Sequence, residues 1–402
     1  MTSNWSDLPN DLLDELSKHF TIMNDLVRFG AVCVNWHSYF TLNRSRPLPC
    51  KRPRQPPVLM ISGQKLQSRY YHLYSSDGVV ETHNIPMTVP HHKFLYASTH
   101  GWLVIGDFHD LSVHLLNPFL SVNNRIDLPL LTAMDNCYLV DFYPMKRSYV
   151  HAYINKAALS VNPTYTSNYV LMIIYGFGSQ LAFFRPGDNA WTPIGKKGAF
   201  FDIVYFKDEF YAVTQDGEVF ACDIHHPHPK LRRVAPPSPK DRTTDIYLVE
   251  SLGELLQVKR LFHFSAEPQL TTVRFKVFKL VLDPPIRHVK YKVGKGKYKQ
   301  KLIKPTQNMY WVEMKTLHGQ AVFVGENSTF SLSSSHFPGC KANCIYFTDD
   351  SQGHLFGDPP LDLGMFNVEE MTLEEHPVMN LSKGMFPRHI WVEPTLLGAT
   401  IN

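Results

Sequence analysis

No stretch of this chain stays apolar long enough to cross a bilayer. The most hydrophobic run, Tyr169 to Phe177, falls far short of the roughly 20 residues a spanning helix needs and reads as a buried strand. Charge is scarce as well. Only 19% of the 402 residues are Asp, Glu, Lys or Arg, and the formal net charge of +4 gives the whole chain no polyelectrolyte character that would assign it to nucleic acid. The six cysteines, at positions 33, 50, 137, 222, 340 and 344, are too sparse for a disulfide scaffold, which implies reduced thiols and a cytoplasmic or nuclear setting. Near the N-terminus Asp7, Asp11, Asp14 and Glu15 stand where a secretory signal needs a basic start and an apolar core, so secretion is not expected.

Signatures of catalysis are equally thin. There is no Gly-x-Ser-x-Gly elbow, Walker-type phosphate loop or dinucleotide fingerprint, and Gly294-Lys295-Gly296-Lys297 lacks the spacing and the Ser or Thr of a phosphate loop. Cys340-x-x-x-Cys344 has no second pair of ligands at a matching separation, whereas a structural zinc needs four, so both read as packing residues beside a turn. His225, His226 and His228 crowd a proline-broken loop whose neighbours cannot converge on one ion, and His91 and His92 read the same way. No catalytic, cofactor-binding or metal-ligating residue is therefore nominated, and a non-catalytic role is expected.

What the sequence does have is 44% hydrophobic and 13% aromatic residues together with 29 Pro and 22 Gly, the composition of many short strands joined by tight turns. Helical periodicity is confined to the beginning. From about Pro9 to Phe20, Leu12, Leu13, Leu16 and Phe20 recur on one side and Asp11, Asp14 and Glu15 on the other, with Asp7 placed as a cap. A second stripe from Asn24 or Asp25 sets Leu26, Phe29, Cys33, Trp36 and Phe40 at intervals of three and four, with Gly30 inside it favouring a bend. A bundle of this size buries too little apolar surface to be robust alone, so its stripe must meet the rest of the chain or a partner.

The order Trp5-Ser6-Asp7-Leu8-Pro9-Asn10-Asp11-Leu12-Leu13, followed by Asp25-Leu26-Val27-Arg28-Phe29-Gly30-Ala31-Val32-Cys33-Val34-Asn35-Trp36, closely resembles the F-box motif. The resemblance implies a three-helix bundle over residues 1–43 that binds a Skp-type adaptor and, through it, a cullin. It also implies that Leu8, Pro9, Leu12 and Leu13 meet the adaptor, with Leu26, Phe29, Val32 and Trp36 completing the packed face or the core. Which residues are contact and which are core is left open at this point.

Residues 44–57 form a proline-rich basic linker, in which Lys51, Arg52 and Arg54 read as part of a stiff solvated spacer. Beyond it, over 58–402, a theme of strand, Gly- or Asp-bearing turn and strand recurs. It runs at Trp102–Ile105 with Ser112–Asn117, at Val170–Tyr175 with Gln180–Arg185, and at Glu209–Val213 with Glu218–Ile224. Third strands follow at Asn124–Leu128, Ala190–Ile194 and Leu231–Val234. Roughly 50 residues per unit would give a β-propeller of about six to seven blades, with a sandwich as the alternative. The stretch from Trp311-Val312-Glu313-Met314 through Gly319–Gly325 and Phe330–Ser333 to Phe337–Asp350 resembles the kelch-like propeller of a large plant F-box family, the KIB type.

The combined reading is a mainly β protein with a small α domain. The resemblance implies a non-catalytic subunit of a ubiquitin ligase that holds a target protein on the propeller, the target being unknown. Two rivals stay open: a ligand- or glycan-binding propeller with a site in its central channel, and a nucleic-acid-associated regulator. The latter would act through Arg287, Lys290, Lys292, Lys295, Lys297, Lys299, Lys301 and Lys304, a run interleaved with Tyr291 and Tyr298. That run lacks the apolar content to pack and reads better as a solvated insertion between strands; neither a membrane nor nucleic acid is the expected partner.

Overall fold

The computed structural model describes residues 5–17, 29–43, 57–65, 68–75, 85–89, 93–107, 110, 112–118, 120, 123–131, 139–142, 147–150, 154–176, 178–195, 199–225, 229–241, 244–263, 271–282, 288–292, 298–302, 309–325, 328–337, 339–348, 362–375 and 389–393. In the N-terminal part these include a 3-10 turn at Trp5–Asp7, α1 (Asn10–Ser17), helical Phe29 and Gly30, and α2 (Val34–Asn43). The rest of the expected three-helix bundle, residues 18–28, and most of the linker, residues 44–56, lie outside the described residues.

From Val58 onward the chain is laid down in sheets. The first takes β1 (Val58–Lys65), β2 (Ser68–Ser75) and β3 (Ile85–Val89). The second takes β4 (Lys93–Thr99), β5 (Trp102–Asp107), β6 (Val113–Leu116) and β7 (Arg125–Leu128). A small hairpin, β8 (Leu139–Phe142) with β9 (Arg147–Val150), precedes the third sheet of β10 (Ile154–Leu159), β11 (Leu171–Tyr175), β12 (Gln180–Phe184) and β13 (Thr192–Ile194). The fourth holds β14 (Phe200–Phe206), β15 (Glu209–Thr214), β16 (Val219–Asp223) and β17 (Lys230–Ala235). In the fifth, β18 (Thr244–Ser251), β19 (Glu254–His263) and β20 (Thr271–Leu282) are completed by β23 (Met309–Met314), and a separate ribbon of β21 (His288–Lys292) and β22 (Tyr298–Leu302) is inserted before that last strand. The sixth contains β24 (Gln320–Val324), β25 (Phe330–Ser333), β26 (Cys344–Phe347), β27 (Gly364–Asn367) and β28 (Thr372–Glu375). Finally β29 (Ile390–Val392) returns to pair antiparallel with β1 and makes the first sheet four-stranded.

Five four-stranded antiparallel blades result among the described residues, fewer than the six to seven expected from unit length. The difference lies in the sixth sheet. It is five-stranded in the order β25-β24-β26-β27-β28 and contains a parallel pair, β24 with β26, so it departs from the repeat. Inserted segments such as the β21–β22 ribbon also lengthen single units, which inflates a count made by dividing length. The basic run read as an insertion between strands does fall between β20 and β23, but its backbone pairs into a hairpin of its own.

The sheets form a closed ring. Inner strands stand side by side, β29 by β4, β4 by β10, β10 by β14, β14 by β18 and β18 by β25. Six apolar clusters fill the spaces between consecutive sheets: Trp102 and Tyr175 share one, Ile174 and Phe210 the next, and so on to the cluster joining Phe323 of the sixth sheet to Trp391 of the first. Such burial on both faces explains why strands such as Leu171–Tyr175 are apolar at every position and do not alternate.

Two-residue turns join inner to second strands at His100-Gly101, Lys207-Asp208 and Leu252-Gly253, all with positive φ at both positions. This is the hairpin geometry that matches the right-handed twist of the strands. Three inner strands in succession carry a bulge near their start, between Leu95 and Ala97, Ile154 and Lys156, and Phe200 and Asp202. A further repeat is a clasp between outer strands. Trp191 donates its indole N–H to the carbonyl of Pro129 at 2.8 Å, and Trp311 donates to that of Pro236 at 2.9 Å, each bridging to the end of the preceding blade.

Candidate functional site

The N-terminal helices divide their apolar residues sharply. Leu13, Phe29, Trp36 and Tyr39 are buried together, with Leu8 and Cys33 packed against them. Phe29 and Trp36 meet at a centroid separation of 4.6 Å. Polar ties fix the arrangement: the Trp36 indole donates to the Trp5 carbonyl at 3.0 Å, Asn35 to that of Ser6 at 2.9 Å, and the Tyr39 hydroxyl to Asp14 at 2.8 Å. Asp14, read from periodicity as part of the outward acidic side, thus anchors α1 to α2.

Successive residues on a helix are about 100° apart, so when Leu13 points into this core Leu12 must point away. Leu12 is 51% exposed while Leu13 is 1% exposed. Leu13, expected among the adaptor contacts, therefore belongs to the core of the bundle. Val32, grouped with the packed residues, is instead 58% exposed, in the turn before α2. Pro9 is exposed, Leu8 half-buried, Phe29 and Trp36 buried, and Leu26 lies outside the described residues. Trp5, Leu16 and Val34, not nominated from the sequence, join Leu12 and Val32 as exposed large apolar residues of this unit.

In the propeller the inner strands bring together a pair that sequence reasoning missed. Lys156 of β10 and Asp202 of β14 are buried 3.9 Å apart on neighbouring inner strands. The carboxylate also accepts from the backbone N–H of Ile203 and Leu248 and from the Thr329 hydroxyl, at 2.9, 2.9 and 3.0 Å. The ammonium donates to the carbonyl of Gly325 and lies 5.1 Å from the Tyr247 ring centre. Burial pushes the Asp202 carboxyl above the usual carboxylate range, while Lys156 and the three donors pull it back. Ser328 donates its N–H to Ser98 of β4 at 2.8 Å, so the segment leading into β25 reaches the inner strands of three other blades. These groups at the hub are engaged in tying blades together.

A second buried cation, Arg260 of β19, is satisfied all round. Its guanidinium donates to Thr272 at 2.7 Å, to the Thr348 carbonyl at 2.7 Å and to Asp362 at 3.1 Å, tying the fifth sheet to the sixth. Cys340 and Cys344 are both buried in the cluster between the sixth and first sheets, and burial raises the Cys344 thiol to about 11. The N–H of His225 caps onto Asp223 at 3.2 Å, and His226, His228, His91 and His92 lie outside the described residues.

The model of the KIB1-4 beta-propeller family matches residues 71–367 of the chain. The chain belongs to the KIB1-4 β-propeller family. Relatives in Arabidopsis thaliana are similar along nearly the whole length. F-box protein SKIP23 is 27% identical over 92% of this chain and 90% of its own, and F-box protein At2g17036 is 26% identical over 96% and 94%. Putative F-box protein At5g55150 is 22% identical over 98% of both chains. Family membership accounts for residues 71–367; the N-terminal helices precede the matched region.

Proposed function

We propose that this chain is the substrate-recognition subunit of a Skp-cullin-F-box ubiquitin ligase. Its N-terminal helices bind a Skp-type adaptor and thereby a cullin, while its propeller holds a target protein for ubiquitination and degradation, in the cytoplasm or nucleus. The observation that carries this reading is the division of apolar residues among the described residues of the N-terminal helices. Leu13, Phe29, Trp36 and Tyr39 already form the core, yet Leu12, Leu16, Val32 and Val34 remain exposed. Apolar residues left outside a filled core are what a partner would cover. Relatives named as F-box proteins along almost the whole length support the same reading. Catalysis would belong to the recruited conjugating enzyme, with this chain contributing proximity.

The test is co-purification with a Skp-type adaptor and a cullin. Leu12→Asp with Val32→Asp changes exposed residues only, so the fold should persist while binding falls by at least about a hundredfold, since each buried anchor is worth roughly 1.5–3 kcal/mol. Unaltered binding by this folded variant would sink the proposal. Of the rivals, a channel site is disfavoured because Lys156 and Asp202 serve as inter-blade ties.

A further inference from the structure

The fifth blade carries a local concentration of positive charge. Residues 287–304 contain one Arg and seven Lys and no Asp or Glu, a formal +8, while the whole chain is +4, so everything else sums to −4. In the backbone, β21 and β22 pair from His288 opposite Leu302 to Lys292 opposite Tyr298. Lysine occupies register positions of both parities, at 290 and 292 and at 299 and 301, so neither face of the ribbon has the apolar pattern of one made to be buried. An isolated two-stranded ribbon is marginally stable at best; one maintained with this composition needs another reason.

Its position is set by register. Leu256 lies opposite Lys279 and Leu282 opposite Met309, so the ribbon leaves and rejoins at the end of the blade that carries the Leu252-Gly253 turn. At that end three apolar side chains are exposed: Leu252 at 60%, Tyr310 at 43% and Val312 at 41%. The carboxylates beside them are already matched. Glu254 pairs with Lys279, Glu313 with Lys315, and Glu250 accepts from the Gly253 N–H at 2.8 Å.

We propose that β21–β22 and the apolar residues at its base, Leu252, Tyr310 and Val312, form a docking surface for an acidic protein segment that also carries apolar side chains. Lysines supply long-range attraction and the apolar base supplies short-range burial. A phosphate backbone would use the lysines, but it offers nothing to Leu252 and Val312, which is why an acidic protein segment is the occupant that fits. This inference rests on the ligase-subunit reading for the expectation that the propeller holds a protein.

The test titrates the full chain with a labelled synthetic peptide of glutamates with leucine at every third position, its glutamine counterpart, and a DNA duplex of equal charge. The glutamate peptide should bind, weaken steeply with salt and outcompete the duplex. Binding should drop about tenfold or more for Lys290→Gln, Lys292→Gln, Lys299→Gln and Lys301→Gln combined, and also for Leu252→Ser, Tyr310→Ser and Val312→Ser combined, with unfolding temperatures kept near wild type. Arginine at the four lysine positions should restore it. Equal binding by the glutamine-substituted chain, or preference for the duplex with no effect of the apolar set, overturns the proposal. Adaptor capture by the same variants separates the two readings: intact capture without peptide binding removes this surface only, whereas peptide binding without capture by wild type removes the ligase reading and leaves the surface in place.

Discussion

At the scale of single residues the propeller's strongest commitments are buried charges. Removing one member of a buried pair leaves the other uncompensated, which costs about 3–5 kcal/mol, while replacing both by apolar groups is often close to neutral. Asp202→Ala should therefore lower the urea midpoint far more than the combination of Lys156→Met and Asp202→Leu, and equal losses would show that the pair does not act as a unit. His114 gives a prediction in pH. Burial, helped by Arg125 and Lys93, lowers its pKa from 6.5 to about 4, so below about 6.5 the unfolded chain takes up a proton that the folded chain refuses. Stability from this group is full above that range and is lost as the pH falls toward 4. Between pH 7 and pH 5 the wild type should lose about 2 kcal/mol relative to His114→Gln, read from denaturant curves of both. None of these positions was legible beforehand. Lys156 and Asp202 are 46 residues apart, at the same level of neighbouring inner strands, and nothing local marks either as the other's partner. The N-terminal surface was partly legible: periodicity found one stripe holding Leu12 and Leu13 and a second holding Phe29 and Trp36, but Leu12 and Leu13 are adjacent leucines, and only packing decides which one faces inward.

Secondary-structure elements were easier to read where turn chemistry marks them. The hairpins at Trp102 to Leu116, Leu171 to Phe184 and Glu209 to Asp223, and the third strands behind them, were found from short apolar runs separated by Gly- or Asp-bearing turns. The inner strands were not. Ile154–Leu159 and Phe200–Phe206 contain buried Lys156 and Asp202 and start with bulges, which breaks the periodicity that identifies a strand. Blade count failed for a related reason, because the sixth sheet uses five strands with a parallel pair and the fifth houses the basic ribbon. Between elements, the two tryptophan clasps make a testable joint. Trp311→Phe keeps an aromatic ring but removes the donor to Pro236, so the unfolding free energy read from denaturant curves should fall by about 1–2 kcal/mol. Trp191→Phe should cost a similar amount at Pro129, and the two should add, since they bridge different pairs of blades.

At the scale of the whole molecule, a ring of sheets must be shut, and here three residues near the C-terminus do it. Ile390, Trp391 and Val392 pair with Met60, Leu59 and Val58, so the first blade is assembled from both ends of the propeller sequence. The strand is short but its burial is complete. Trp391 meets Phe323 at 5.1 Å and Tyr346 at 5.9 Å between ring centres, both on the sixth sheet, while Ile390 and Val392 join the cluster shared with the second. Loss of β29 would uncover two inter-blade clusters at once and leave β1 with an open edge, the arrangement that invites aggregation. Deleting residues 389–402 should accordingly abolish the sharp cooperative transition of the propeller, and Trp391→Ala alone should cost about 3–5 kcal/mol. Adding residues 386–402 in trans as a peptide should restore the transition in proportion to peptide concentration, as expected for a ligand that binds only the folded ring. A truncated chain that unfolds as sharply and at the same temperature as wild type would mean that the other inter-sheet clusters hold the ring without its clasp.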